Sequence, residues 1–308
     1  MSSNSLILPR SRFSVWLQAV RAFAFPASIT PVLLGGALAL HYDGGVNWAL
    51  YPLVIVCALL YHAATNLISD YFDWTKGVDK DYTFGSSRVI VESLLTPRQI
   101  LLGGWLIFAV AVGLGLMLVY FRGWPMLLLG LVGLAGGYLY TGRPLGYKYL
   151  AFGDLGVFIL MGPLMVIGSY FALTGVYDAV ALWTSIPVGM LTAAILHSNN
   201  TRDIIHDGEA RVRTFAGVIG HKASKVEYLF LVGGAFAAVI VMIFYKILPV
   251  WSLLVFLSTI PAISNIRTML RSQPGRIEDI ATLDVQTAQH HLLFGLLLVV
   301  SLVIDKLI

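Results

Sequence analysis

The sequence predicts an all-α membrane protein in which nine transmembrane helices surround a central cavity. Hydrophobic residues make up 58% of the 308-residue chain and charged residues only 12%, and the mean hydropathy is +0.82. A soluble domain of this length carries far more charge. The chain also contains a series of apolar runs close to the ~20 residues that an α-helix needs to cross a bilayer. Composition and run length together therefore predict a polytopic membrane protein.

Each apolar run is interpreted as one helix. The nine runs begin near Val15, Ala49, Gln99, Pro125, Gly153, Ala181, Val226, Trp251 and His290. The first run is too long for a secretory signal, contains Arg21, and lacks a short apolar core followed by a cleavage site of small residues. No long linker or low-complexity segment divides the chain, so residues 1–308 are predicted to form one domain. The single cysteine, Cys57, rules out an intrachain disulfide framework.

The basic side chains predict the orientation of these helices. All but three of the twenty Lys and Arg residues lie in or beside the N-terminal segment and the loops after helices 2, 4, 6 and 8. The exceptions are Arg122, Lys246 and Lys306. The positive-inside rule therefore places the N-terminus and these loops in the cytoplasm. The net charge of +4 reflects this topology and gives no indication of a nucleic-acid partner.

Two of the predicted helices end in acidic faces, at residues 66–73 and 199–207. In each set the residues lie at i, i+4 and i+7 or i+8, which places them on one side of a helix. The members are Asn66, Asp70 and Asp73 in the second helix and Asn199, Asp203 and Asp207 in the sixth. Carboxylates close to hydrocarbon are costly and mark an ion or substrate site.

The second acidic face repeats the first after four helices. Both lead into long loops on the same predicted side of the membrane, so the relation between them must be parallel rather than inverted. The pattern predicts two parallel four-helix pseudo-repeats around the cavity, followed by a ninth helix.

Clustered oxygen ligands on two facing helices suit hard divalent cations, and here they predict Mg²⁺ together with a diphosphate. The cation would offset the charge of the leaving diphosphate, and Lys148, Arg143 and Arg202 would add further positive charge. An apolar cavity in the membrane suits an isoprenoid chain. Loss of diphosphate would leave an allylic cation, which aromatic faces in a dry pocket stabilise by about 2 kcal/mol.

Two stretches give the chain a family resemblance. NLISDYFDWTKGVD (residues 66–79) and NNTRDIIHDGEARVRT (residues 199–214) resemble the paired Asp-rich motifs of the UbiA superfamily of intramembrane aromatic prenyltransferases. Within it they most resemble the 1,4-dihydroxy-2-naphthoate polyprenyltransferases of menaquinone synthesis. Further support comes from FPASITPVLLG, YTGRPLGYKYLAFGDL and TAQHHLLFGLLL, at residues 25–35, 140–155 and 287–298.

This resemblance implies a role for individual residues. Magnesium and diphosphate binding are implied for Asp70, Asp73, Asp79, Asp203 and Asp207, with Asn66, Asn199 and Asn200 in support. Lys148 matches a loop position that contacts diphosphate, and Tyr140 matches an aromatic residue near the reacting allylic carbon. Arg21 is interpreted either as a phosphate contact or as a side chain that extends to the interface.

The resemblance also implies the reaction and the location. The partners are polyprenyl diphosphate, an aromatic acid and membrane lipid, with no obligatory protein partner, in the inner or plasma membrane of a bacterium or archaeon. Three positions depart from the menaquinone pattern: Ser69 replaces an Asn, and Val212 and Arg213 replace Gly-Lys. These changes leave the metal site in place but affect the prediction of the acceptor.

Two alternatives remain at this stage. A sister enzyme would prenylate homogentisate, 4-hydroxybenzoate or a porphyrin-type acceptor by the same first half-reaction. A transporter would use the acids as a cation or proton path, although alternating-access sites lie near the midplane rather than at one membrane face.

Four histidines, His62, His197, His290 and His291, are interpreted as buried helix-packing residues rather than ligands.

Overall fold

The computed structural model describes residues 11–80 and 86–308 and is helical throughout. Residues 1–10, which include the predicted cytoplasmic N-terminus, lie outside the described residues. The helices are α1 (Arg12–Ala19), α2 (Pro26–Ala39), α3 (Tyr51–Thr75), α4 (Pro97–Arg122), α5 (Trp124–Leu139), α6 (Gly153–Ile159), α7 (Met165–Thr174), α8 (Ala179–Arg202), α9 (Ile204–Glu209), α10 (Phe215–Phe244), α11 (Thr259–Arg271) and α12 (Leu283–Leu307). Short 3₁₀ turns precede α2, α3, α6 and α12, a longer 3₁₀ helix, Val250–Ser258, precedes α11, and a π-helical turn, Leu160–Leu164, joins α6 to α7.

Eight helical segments within the described residues are long and apolar enough to cross a membrane. α6, the π-helical turn and α7 together form one of them. A further apolar helix, α5, has 16 residues and is about 24 Å long, which is shorter than the ~30 Å hydrocarbon core. The multi-pass architecture is confirmed, while the count of nine spans and the parallel pseudo-repeat stay predictions.

Three predicted helix starts were displaced. The run from Val15 is not one helix, because Arg21 adopts a left-handed backbone conformation (φ 55°) that separates α1 from α2. α10 begins at Phe215 rather than Val226, where Thr214 accepts a hydrogen bond from the Gly217 amide (3.2 Å), and a non-helical Gly220 (φ 77°) separates this first turn from the long helix. α12 begins seven residues before His290. Apolar run length misses such polar turns at the ends of a helix.

The helices pack closely through small residues. α3 lies against α4, α8 against α10, and α2 against both α7 and α12. A methyl group added to Gly35 would lie 2.7 Å from the Ser169 Cβ atom, and one added to Gly295 would overlap the Thr30 side chain. Small residues at such crossings let helix backbones approach each other in a membrane. This packing holds α2, α7 and α12 together as one wall of the cavity.

Chain direction brings the polar helix ends to one side of the molecule. α3 and α8 end there, α12 begins there, and the loop between α5 and α6 passes across them. The two acidic motifs, whose first residues Asn66 and Asn199 are 133 residues apart in sequence, therefore meet at a single end of the helix bundle.

Candidate active site

A cavity of about 410 Å³ runs through the helix bundle and has two unlike ends. We call its charged part the polar end and define it by the side chains that line it: Arg21, Asn66, Asp73, Asp79, Lys148, Asn199, Asn200, Asp203, Asp207 and Asp284. Ten of the thirteen predicted site residues line the cavity, and Tyr140 is among them. Asp70, Arg202 and Arg143 do not.

Asp73 is the most extensively bonded carboxylate of the first motif. It is buried at the end of α3, where Lys148 Nζ donates to Oδ2 (2.7 Å) and Tyr149 Oη donates to Oδ1 (2.8 Å). Ser69, one turn earlier, donates to Oδ2 at 3.3 Å. The loop that carries Lys148 and Tyr149 is thereby tied to α3, and one carboxylate is fully solvated by protein groups.

Asp70 does not line the cavity and lies behind the side chains that do. It is almost fully buried and forms an ion pair with Arg21 and a hydrogen bond with Ser87. Burial lowers the pKa of Arg21, but the charges of Asp70, Asp79 and Asp73 and the hydrogen bond to Asp70 together outweigh that effect and raise it. Asn66 lines the cavity and donates its amide to the Val20 carbonyl (2.9 Å), which fixes the turn that carries Arg21.

The second motif is not one continuous helix as the spacing predicts. α8 ends at Arg202, the backbone at Asp203 leaves the helical range (φ −95°, ψ 9°), and α9 begins after it. Arg202 donates two hydrogen bonds to Asp203, of 3.0 and 2.9 Å, and a third to Asp284 Oδ2 at 3.1 Å. Its guanidinium is therefore committed to two carboxylates, which explains why it does not line the cavity.

Neighbouring amides complete this acidic cluster. With its amide nitrogen toward Asp203, Asn199 donates to Oδ2 (3.0 Å) while its oxygen accepts from Arg202 (3.2 Å). Asn200 donates to Asp154 Oδ1 (2.9 Å). His197 is fully buried between Asp154 (2.7 Å) and the Ser224 carbonyl (3.1 Å), in the packing position expected for it.

Two carboxylates at the polar end, Asp79 and Asp207, have raised pKa values. Burial, followed by the charges of Asp73 and Asp70, raises the pKa of Asp79 to about 7. Burial also raises the pKa of Asp207 to about 7, an effect that Lys148 reduces and Asp203 increases. Like charges that raise one another's pKa are a mark of functional sites. A bound cation at this end would relieve the repulsion.

The donor set accordingly fits a hard divalent cation, because carboxylate and amide oxygens from both motifs face the same space. Within the described residues, however, no three acidic, His or Cys side chains stand close enough together to form a ready-made metal site. Lys148 and Arg21 currently neutralise two of the carboxylates. Metal binding by this set therefore requires the basic side chains to move off the acids.

Tyr140 lies just inside the polar end. Its ring meets the Tyr147 ring edge-on at 5.4 Å between centroids, and Lys148 Nζ lies 5.9 Å from its centroid. Burial raises its pKa to about 12, so the phenol stays neutral. The ring is thus placed as an uncharged aromatic wall beside the charged groups.

Below Tyr140 the cavity is apolar and deep. Its lining follows α3 from Asp73 back to Val54, a distance of about 28 Å at ~1.5 Å per residue. Side chains from α4 and α5, among them Leu118, Met126 and Leu134, close the far part. A cavity that is charged at one end and hydrocarbon-lined along the rest suits an amphiphile with an anionic head and a long apolar tail.

Arg143 lies apart from this cavity. Its side chain is exposed and is not part of the cavity lining, so its contact with the substrate stays a prediction. Sequence reasoning also missed four contributors, namely Ser87, Tyr149, Asp154 and Asp284. Tyr149 and Asp154 lie in the conspicuous 140–155 loop, whereas Ser87 and Asp284 have no spacing that marks them.

These features define a multi-pass membrane protein with an acid-rich polar end above a deep apolar cavity. A model of the UbiA prenyltransferase family matches residues 28–303. The chain therefore belongs to the UbiA prenyltransferase family, a class of enzymes.

Individual relatives agree with this assignment. The 1,4-dihydroxy-2-naphthoate octaprenyltransferase of Bacillus subtilis is 32% identical over 288 residues, covering 94% of this chain and 92% of that protein. The human UbiA prenyltransferase domain-containing protein 1 is 34% identical over 298 residues, covering 96% and 85%. A UbiA homolog from Archaeoglobus fulgidus bound to GPP and Mg²⁺ shares the fold at a TM-score of 0.54 and 13% identity, covering 93% of this chain and 99% of the other.

Proposed function

We propose that this protein transfers a polyprenyl group from polyprenyl diphosphate to 1,4-dihydroxy-2-naphthoate with loss of CO₂, giving demethylmenaquinol, the reduced form of demethylmenaquinone. The observation that carries the proposal is the cavity itself, which joins a cluster of carboxylates and cations to an apolar channel about 28 Å deep. The name of the Bacillus subtilis relative supports the choice of acceptor.

The polar end is proposed to bind the diphosphate with Mg²⁺. Asp73, Asp79, Asp203 and Asp207 would hold the metal, with Asn66 and Asn199 in support, and Asp70 would act from behind through Arg21. Bound Mg²⁺ supplies positive charge that makes diphosphate a better leaving group. The Mg²⁺ and GPP named in the Archaeoglobus fulgidus structure support this part of the proposal.

Lys148 and Arg21 are proposed to transfer from carboxylates to the diphosphate when the substrate arrives. Lys148 lies 2.7 Å from Asp73. Burial lowers the pKa of Lys148, but the charge of Asp73, the hydrogen bond to it and further neighbouring groups together outweigh burial and raise that pKa. Lys148 is therefore cationic at any working pH. In a site with little water, such preorganised charge around a leaving group contributes much of the rate.

The apolar channel is proposed to hold the prenyl chain with its first carbon near Tyr140. After the carbon–oxygen bond breaks, the neutral phenol ring faces the allylic cation and attracts it through its π-system. The buried walls limit the access of water to that cation, so the ring of the acceptor is the preferred nucleophile and hydrolysis is a slow side reaction.

A different aromatic compound is a second candidate for the acceptor. The human relative is as similar to this chain as the naphthoate enzyme is, and Ser69 departs from the menaquinone pattern. Homogentisate, 4-hydroxybenzoate or a porphyrin-type ring are the acceptors to compare. The transporter alternative is not pursued, because the chain belongs to a prenyltransferase family.

We also propose that the polar end faces the cytoplasm in an inner or plasma membrane. The support is the placement of nearly all Lys and Arg residues on the side where Asp73, Lys148 and Asp203 meet.

The test is a reaction of purified protein in detergent with geranylgeranyl diphosphate and 1,4-dihydroxy-2-naphthoate, with Mg²⁺ or with EDTA. Mass spectrometry follows prenylated product and released diphosphate. Magnesium-dependent product that lacks the carboxylate is the expected result. Diphosphate release without that product would transfer the assignment to another acceptor, and no diphosphate release with any acceptor would overturn the proposal.

A further inference from the structure

One buried histidine of the cavity has no part in the diphosphate chemistry. His62 lies on α3, is 7% exposed, and lines the cavity. Its Nδ1 atom is 2.7 Å from Ser28 Oγ on α2, and its ring lies 5.7 Å from the Phe25 ring. In the described part of the chain no hydrogen-bond partner meets Nε2. The sequence-based view of His62 as a packing residue therefore accounts for only one of its two nitrogens.

The contacts of Ser28 permit the tautomer of a base. The Ser28 hydroxyl also lies 3.7 Å from Met161 Sδ, a weak acceptor. Ser28 can thus give its own proton to Met161 and accept Nδ1–H from His62. In that arrangement the lone pair of His62 Nε2 is available to a ligand in the cavity. Because the partner of one ring nitrogen sets the state of the other, Ser28 acts as the orienting group.

The position of His62 along α3 suits the acceptor rather than the diphosphate. At ~1.5 Å per residue it lies about 6 Å deeper than Asn66 and about 16 Å deeper than Asp73. Ala24 and Ala27 line the same cavity, as does Met161 of the π-helical turn. Such π-turns often occur at functional sites. Apolar side chains and the Phe25 ring therefore lie beside the imidazole, which suits an aromatic ring that carries a hydroxyl.

We propose that His62, oriented by Ser28, binds the ring hydroxyl of the aromatic acceptor and takes its proton as the new carbon–carbon bond forms. This inference rests on the proposed function, since it needs an acceptor ring in the cavity. The proposal supplies a base for the acceptor hydroxyl. The polar end offers none, because its acids and cations are engaged with one another and with the diphosphate.

The bonds and the proton balance as follows. The carbon–oxygen bond of the prenyl diphosphate breaks, and both electrons leave with the diphosphate. A ring carbon of the acceptor forms a bond to the allylic carbon, while the hydroxyl proton passes to His62 Nε2 and the ring becomes a ketone. Where the attacked carbon carries a carboxylate, CO₂ leaves, its bonding electrons restore the aromatic ring, and His62 returns the proton to the phenolate. The histidine is neutral again at the end.

The experiment compares His62→Phe, His62→Gln and Ser28→Ala with the wild-type protein in detergent. The acceptor reaction gives kcat/KM for the acceptor, and a second assay measures magnesium-dependent diphosphate release without acceptor. His62→Phe is expected to lower the acceptor kcat/KM by about 10² to 10⁴, the range for general acid–base groups, while acceptor-free diphosphate release changes less than threefold. His62→Gln keeps a hydrogen bond but not the proton transfer, so it should restore the acceptor KM and not kcat.

His41→Phe is the matched control, since His41 bonds the Leu302 carbonyl (2.9 Å) and lies outside the cavity lining. It should leave both assays unchanged. The proposal is overturned if His62→Phe keeps the acceptor reaction within threefold. It is also overturned if His62→Phe loses both activities in parallel or if His62→Gln fully restores kcat, because each result assigns a structural role. Absence of diphosphate release in the wild-type protein with every acceptor would instead defeat the proposed function on which the inference rests.

Discussion

The contact between Lys148 and Asp73 offers the sharpest test of the polar end, through the substitution Lys148→Met. The two groups are 2.7 Å apart, with side chains 16% and 3% exposed. At an effective dielectric constant of ~20 the Coulomb attraction at that distance is about 6 kcal/mol. Much of it offsets the cost of burying both charges. Tyr149 and Ser69 still solvate Asp73 in the variant, so the expected loss of stability is about 1 to 3 kcal/mol.

The expected loss of activity is larger than this loss of stability suggests. If Lys148 transfers to the diphosphate, its removal takes one preorganised charge from the leaving group, which costs about 10² to 10³ in kcat. The assay is the rate of prenylated product at saturating substrates and Mg²⁺, with thermal unfolding measured on the same sample. In Lys148→Met/Asp73→Asn, stability should recover relative to Lys148→Met, because no buried charge is left unpaired, while activity stays low.

Lys225→Met is the control for this comparison. Lys225 Nζ donates to the carbonyls of Leu270 and Ser272 at the end of α11, away from the cavity. The Lys225→Met protein should be less stable than the wild type, but the kcat of its folded fraction should be unchanged. If Lys148→Met keeps its kcat within threefold of the wild type, Lys148 does not act on the diphosphate and the reasoning fails.

Three further predictions concern the acids and the channel. Asp203→Ala should abolish turnover, by at least about 10³, while the protein still inserts and purifies, and measurable product would argue against a metal at the second motif. Asp79 and Asp207 have pKa values raised to about 7, so the metal-free fold binds extra protons and loses stability as pH rises from about 4 to 7. The increase in melting temperature caused by Mg²⁺ over EDTA should therefore be larger at pH 8 than at pH 5.5, and an equal increase would contradict metal binding there. Gly130 lines the apolar channel with open space around it, so Gly130→Phe should shorten the longest prenyl chain accepted in a competition assay, whereas Gly113→Phe, at an exposed helix position with open space around it, should not.

The metal and diphosphate predictions depend on one another through the basic residues. Arg21 and Lys148 hold carboxylates of the first motif in the structure. Substrate would therefore exchange one set of ion pairs for another rather than fill a ready-made site. On this view diphosphate and Mg²⁺ bind cooperatively. The ligand that binds first separates the ion pairs of the polar end, so the second ligand binds without that energetic cost.

Much of the membrane architecture was predictable from the sequence. Hydropathy and run length identified the apolar helices, since a backbone in lipid must satisfy its hydrogen bonds internally and has few other options. The periodicity of Asn66, Asp70 and Asp73 placed them on one face of α3. The paired motifs also indicated the prenyltransferase family, which the comparisons confirm.

Local patterns failed where the end of an element depends on a single backbone turn. The break at Arg21 and the end of α8 before Asp203 leave no mark in hydropathy. In the same way, spacing placed Asp70 and Asp73 side by side, yet Asp70 turns behind Arg21 and only Asp73 lines the cavity. A helical period defines a face, and packing decides which part of that face meets open space.

The sequence by itself determined the class of this protein, the acidic face of α3 and the presence of a second acidic motif, because these follow from composition, from the order of residues and from the helical period along one helix. Tertiary structure alone decided that Lys148 meets Asp73, that Arg202 pairs with both Asp203 and Asp284, and that His62 meets Ser28 at the cavity. Apart from Arg202 with Asp203, these contacts join elements more than thirty residues apart in the chain. Such contacts exist only once helices pack at fixed distances and angles, which the sequence of neither partner reveals alone.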